Sequence, residues 1–102
     1  MDTIYQISQT PQFVKWLKDI RAKAAIVLRL KSIEAGNLGD FKQLENSVAE
    51  LRFHIGPGYR VYFSRRNQKL ILLLAGGDKS TQAKDIARAL KLAKEYVDEQ
   101  DH

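Results

Sequence analysis

Ala49-Glu50-Leu51-Arg52-Phe53-His54-Ile55-Gly56-Pro57-Gly58-Tyr59-Arg60-Val61-Tyr62-Phe63-Ser64 is the stretch that decides the fold. From Ala49 to Ile55 the apolar residues alternate with Glu50, Arg52 and His54, a period of two that marks a strand with one wet face. Gly56-Pro57-Gly58 interrupts the run as a turn. Tyr59 to Ser64 then repeats the alternation on the way back, with Tyr59, Val61 and Phe63 on one side and Arg60, Tyr62 and Ser64 on the other. The two runs make an antiparallel hairpin. After a second turn at Arg65–Gln68, Leu70–Ala75 is uniformly apolar, as expected for a central strand buried on both faces.

Working upstream, Gly39 to Asn46 is polar and mixed, which predicts an irregular connection. Ala22–Ala35 reads as a helix with Ile26, Val27, Leu30 and Ile33 facing inward, ended by Gly36-Asn37. An earlier helix opens at Thr10-Pro11, because threonine caps well and proline at the first helical position has no amide to lose. Phe13, Trp16, Leu17 and Ile20 supply its buried stripe, and Thr3–Ile7 before it is a short β-prone run. Downstream, Gly76-Gly77-Asp78-Lys79-Ser80 leaves the apolar strand and enters a last helix, with Asp78 or Ser80 as its N-cap. The inward stripe of that helix is Ala83, Ile86, Ala87, Leu90, Ala93 and Val97. The order is β-α-α-β-β-β-α in one domain of 102 residues, an α+β fold with a small, mainly antiparallel sheet packed by helices.

Seventeen Lys and Arg against 12 Asp and Glu give a formal charge of +5, a field that favours polyanions. The absence of cysteine excludes disulfides and thiolate metal sites, and His54 and His102 are too far apart to suggest zinc. Neither a metal nor a small-molecule cofactor is expected. No apolar run approaches the ~18 residues of a membrane span, and Met1-Asp2-Thr3 lacks the pattern of a signal peptide. The expectation is a soluble cytoplasmic protein with no membrane partner.

If Ile55 pairs with Tyr59, His54 faces Arg60 and Arg52 faces Tyr62, with cross-strand partners about 4.5–5.5 Å apart. Two guanidiniums, an imidazole and a phenol on one wet face make a plausible phosphodiester site. Guanidinium forks match phosphate oxygens, and a tyrosine ring can stack a base. The plainer alternative is a polar face whose charges pair with each other, Glu50 bridging Arg52 or Lys79. Lys79 sits at the corner between strand and helix, and Asp85 one turn on can orient it. The loop is not a Walker A motif, which needs a glycine four residues before Gly-Lys-[Ser/Thr]. Lys15, Lys18, Arg21, Lys23, Arg29 and Lys31 fall on the outer sides of the first two helices as a solvated face.

Glu50-Leu51-Arg52, Gly56-Pro57-Gly58-Tyr59-Arg60-Val61-Tyr62, Leu72-Leu73-Leu74-Ala75-Gly76-Gly77-Asp78-Lys79-Ser80-Thr81-Gln82 and Lys84-Asp85-Ile86 together resemble the RelE/ParE toxin superfamily. The branch they resemble is the HigB-like, phage-derived "addiction module killer" group. Phe13-Val14-Lys15-Trp16-Leu17 and Gly39-Asp40-Phe41-Lys42 extend the similarity over nearly the whole chain. The resemblance implies a RelE-like fold and the toxin of a type II toxin–antitoxin module. Its activity would be that of a metal-independent, ribosome-dependent mRNA endonuclease that inhibits translation. Implied partners are mRNA, the ribosome and a cognate small antitoxin of helix-turn-helix type. The matching catalytic positions are Arg52, Arg60 and Lys79, with His54 for proton transfer; Tyr62, Gln82 and Lys84 fall where RNA would be contacted. Many RelE-type enzymes carry lysine pairs on the second strand and a tyrosine near the chain end. Here Glu50 takes one such position and the only late tyrosine is Tyr96. The alternatives are a ParE-like non-enzymatic toxin that binds DNA gyrase and a catalytically degenerate member that only binds a partner.

Overall fold

The computed structural model describes the backbone of residues 5–67 and 69–100, and side chains as far as residue 96. In chain order the elements are β1 (Gln6–Gln9), α1 (Pro11–Lys18), α2 (Lys23–Glu34), β2 (Phe41–Gln43), β3 (Val48–Arg52), β4 (Arg60–Arg65) and β5 (Leu70–Gly77). A 3₁₀ turn (Lys79–Thr81) then leads into α3 (Gln82–Gln100). Thr3 and Ile4, the expected start of the first strand, and the side chain of Val97 lie outside the described residues. The protein is α+β, with the five strands in the order β1-β5-β4-β3-β2.

The sheet is mainly antiparallel, as expected, and two of its features are not readable from the sequence. β1 runs parallel to β5, so the sheet is mixed. The segment expected to be irregular contains β2, whose Phe41, Lys42 and Gln43 pair with Leu51, Glu50 and Ala49. Three mixed residues carry too little periodicity to announce a strand. What holds β2 is the Phe41 ring, set against Phe63 at 6.3 Å and under the Arg65 guanidinium at 5.3 Å.

Thr10 ties the helical and sheet layers together. Its hydroxyl accepts from the Phe13 amide as the N-cap of α1 and donates to the Leu74 carbonyl at 2.6 Å. That carbonyl belongs to a bulge: Tyr62 pairs with Ala75 and Phe63 with Leu73, so Leu74 is the extra residue. The bulge would leave a buried acceptor unmet, and the threonine meets it.

Helices cover both faces of the sheet. On one, Phe13, Leu17, Ile26, Leu30 and Ile33 from α1 and α2 pack on Ala49, Leu51, Val61, Phe63, Ile71 and Leu73. On the other, Ala89, Leu92 and Ala93 of α3 pack on Val48, Tyr62, Leu72, Leu74 and Ala75. The face expected to be wet is therefore mostly dry. The α3 stripe is also rotated from the expected one. Ala83 and Ala87 are exposed, while Asp85, Ala89, Leu92 and Ala93 are buried and Ile86 and Leu90 half-buried. Small alanines on every side of this helix hide its phase, and a buried aspartate runs against it.

Candidate functional site

The hairpin register brings the arginines together. The Phe53 amide donates to the Tyr59 carbonyl at 3.0 Å, and the Gly58 amide to Ile55 at 3.0 Å. The loop thus takes in His54 and Ile55 as well as the glycines and proline. Gly56 and Gly58 close it at φ of 54° and 80°, a region that costs glycine little. With this wider loop Arg52, in place of the expected His54, stands opposite Arg60, and Glu50 stands opposite Tyr62.

Two like charges directly across a ladder repel, and Glu50 lies where it offsets that repulsion. Its carboxylate is fully buried. Oε1 accepts from Arg52 Nε at 3.1 Å and lies 3.7 Å from Arg60 Nε. Oε2 accepts from the Gln82 side-chain amide at 2.9 Å. Arg60 Nη1 donates to the Gly58 and Tyr59 carbonyls at 3.2 and 3.3 Å. Arg52 keeps a third of its side chain exposed and Arg60 12%, so the pair borders solvent where the α3 cover ends. Lys79 lies alongside: a side chain at Gly58 would meet Lys79 Cβ at 3.4 Å and Arg60 Nη1 at 3.6 Å.

The corner that carries Lys79 is held by its neighbours. Asp78 caps the 3₁₀ turn, accepting from the Ser80 amide at 2.8 Å and from the Ser80 hydroxyl. These bonds hold its carboxyl below the usual carboxylate range. Asp85 is buried, accepts from the Thr81 hydroxyl, and lies so close over Gly77 that a Cβ there would fall 1.8 Å from Oδ2. Gly76 is similarly closed off, since a Cβ would sit 2.2 Å from the Trp16 ring. Trp16 in turn meets Tyr59 edge-on at 6.2 Å and supports the hairpin end.

His54 stands at the other side of Arg52. The Arg52 amide donates to the Asp40 carbonyl, which places Asp40 beside Arg52, and His54 Nε2 meets Asp40 Oδ2 at 2.6 Å. That hydrogen bond, with the nearby charges of His54, Arg52 and Arg29, holds the Asp40 carboxyl below its ordinary range. Both side chains are open to solvent, His54 by 75%.

The structure thus gathers Arg52, Arg60, Lys79 and Gln82, and sets His54 next to them through Asp40. It does not gather Tyr62 or Lys84. Tyr62 is fully buried, so its ring has no free face for a base; burial and the charges of Glu50 and Asp85 push its phenol up. Lys84 points to solvent on α3. Two residues of consequence escape a reading by periodicity. Asp40 lies in a segment with no pattern. Arg29, expected on a solvated face, instead turns inward: Nε and Nη2 donate to the Leu38 carbonyl, Nη2 also to Asp40 and Nη1 to Arg52.

Fold and site together define an α+β protein with a five-stranded mixed sheet and a cationic cluster at one end of the β3–β4 ladder. No protein-family model matches the chain. An uncharacterized protein of Haemophilus influenzae is 50% identical over 93 residues, covering 88% of this chain and 94% of that protein. The chain belongs to the same family as that protein. Among the described residues, no helix is long and apolar enough to cross a membrane.

Proposed function

We propose that this protein is the toxin of a type II toxin–antitoxin module, a metal-independent endonuclease that cleaves mRNA on the ribosome and acts in the cytoplasm. The observation that carries this reading is the Arg52–Arg60 pair, held across one ladder by a buried carboxylate, with Lys79 bordering Arg60. The RelE-like, HigB-like resemblance supplies the substrate class and the antitoxin partner, a small helix-turn-helix protein.

The residues divide the chemistry as follows. The 2′-oxygen of the nucleotide attacks the adjacent phosphorus and the bond to the 5′-oxygen breaks, giving a cyclic phosphate and a free 5′-hydroxyl. Arg60, Arg52 and Lys79 meet the charge that builds on the non-bridging oxygens. With Nε2–H donated to Asp40, His54 presents Nδ1 as its basic nitrogen and takes the 2′-hydroxyl proton, while the departing 5′-oxygen takes a proton from water at this solvent-open edge. Gln82 acts through Glu50, and Tyr62 serves the packing under the site.

The test is expression of the wild type, Arg60→Ala and Lys79→Ala, with growth and ribosome-bound mRNA followed together. The wild type arrests growth with cleaved mRNA. Each variant loses on the order of 10²–10³-fold in cleavage rate while its circular dichroism and antitoxin binding are retained. Arrest with intact mRNA and accumulating double-strand breaks would instead select a ParE-like gyrase poison. Normal growth on overexpression of the wild type would leave only partner binding.

A further inference from the structure

Glu50 occupies a position where a polyanion-binding site would ordinarily carry another cation. Its charge opposes the substrate, yet it cannot reach one, because the side chain is fully buried beneath the arginines. A buried carboxylate is costly unless it is paired and hydrogen-bonded, and this one is met from three sides. Arg52 and Gln82 take its two oxygens, and Arg60 Nε flanks Oε1. Both guanidiniums turn the same edge, Nε, toward Glu50. That leaves both terminal nitrogens of Arg52 and Nη2 of Arg60 to work beyond it. Arg60 spends Nη1 on the Gly58 and Tyr59 carbonyls, so its plane is fixed at both ends. Among the described residues Arg60 Nε makes no hydrogen bond of ordinary length and meets Oε1 at 3.7 Å.

We infer that Glu50 is a positioning residue that aligns Arg52 and Arg60 as a two-pronged clamp for one phosphodiester, with Gln82 anchoring the carboxylate from α3. Without it, two like charges face each other across the ladder and swing apart. This inference rests on the endonuclease reading for the substrate, while its geometry can be tested without it.

The test uses the full chain as wild type, Glu50→Gln and Glu50→Asp, with two readouts. The first is kcat and KM on ribosome-bound mRNA. The second is the arginine Nε–H signals in ¹⁵N spectra during titration with a 2′-O-methyl RNA trinucleotide, which cannot be cleaved. Glu50→Gln removes a negative charge, so a residue that merely tempers the field would leave kcat intact and lower KM. A positioning residue gives the opposite split: kcat falls on the order of 10²-fold, as for a small misplacement of catalytic groups, with KM unchanged or lower. The Arg52 and Arg60 signals move on adding the trinucleotide to the wild type and do not move in Glu50→Gln. Glu50→Asp keeps the charge one methylene short and recovers part of kcat; if Glu50→Gln does not fold, the loss in Glu50→Asp carries the test. Wild-type kcat in either variant, or a loss confined to KM, overturns the inference. A wild type that cleaves no mRNA defeats the endonuclease reading alone, and the titration then decides on Glu50: no movement of the two arginine signals overturns the clamp.

Discussion

At Tyr62 the phenol lies close against the Glu50 carboxylate and near that of Asp85 without reaching a hydrogen bond of ordinary geometry, in a site closed by α3. A buried hydroxyl without a partner costs about 1–3 kcal/mol, and its removal restores most of that where the ring still packs. Tyr62→Phe is therefore expected to hold or raise the thermal midpoint and to leave mRNA cleavage unchanged. A fall in cleavage at unchanged stability would return Tyr62 to the chemistry. Single residues were unevenly legible in the sequence. Arg52 and Arg60 are legible because alternation sets both on one face of the hairpin, and Lys79 because it follows the Gly76-Gly77 corner. Burial of Tyr62 is not legible, because alternation shows which side of a strand a residue takes and not whether a distant helix covers that side.

Among the elements, α1, α2, the hairpin and β5 were readable from spacing and caps. The short edge strand β2 and the phase of α3 were not. Nor was the register: the turn residues Gly56-Pro57-Gly58 suggest a tight loop, whereas the Phe53–Tyr59 hydrogen bond closes a wider one. The polar part of the link between α2 and the edge strands is hidden too, because it rests on one side chain among the apolar contacts. Arg29 reaches the carbonyls of Leu38, Asp40 and Arg52 and lies over the Phe53 ring at 5.0 Å. Arg29→Met keeps the apolar stem of the side chain and loses every donor. It is expected to cost on the order of 2–3 kcal/mol by the usual worth of charged hydrogen bonds, read as a lower denaturant midpoint at unchanged slope. A neutral result would mean that water satisfies these carbonyls equally well.

For the molecule as a whole, Asp40 and Asp78 pin the two loops that flank the arginine pair, and both titrate below the ordinary carboxylate range. A carboxyl whose pKa is lowered by folding contributes its stability in full above the unfolded value. That contribution is lost as pH falls through the lower, folded value. The thermal midpoint is expected to be flat near neutrality on account of these two groups and to start falling below about pH 4. In Asp40→Asn/Asp78→Asn the midpoint is lower at neutral pH and its acid decline shallower. An identical acid decline in the double variant would remove these residues from the account. The parallel pairing of Gln6 with Leu70 has a different kind of consequence, one that concerns the order of synthesis. As the chain leaves a ribosome, β1 emerges first but finds no neighbour until β5 has followed, and α3, which seals the opposite face, comes later still. Such non-local pairing makes folding wait on most of the chain. A nascent fragment that stops short of β5 has the β3–β4 hairpin but no sheet centre to pack it on. The packed site therefore forms only after β5 and α3 have followed, and a chain cut short before them leaves the hairpin without its cover.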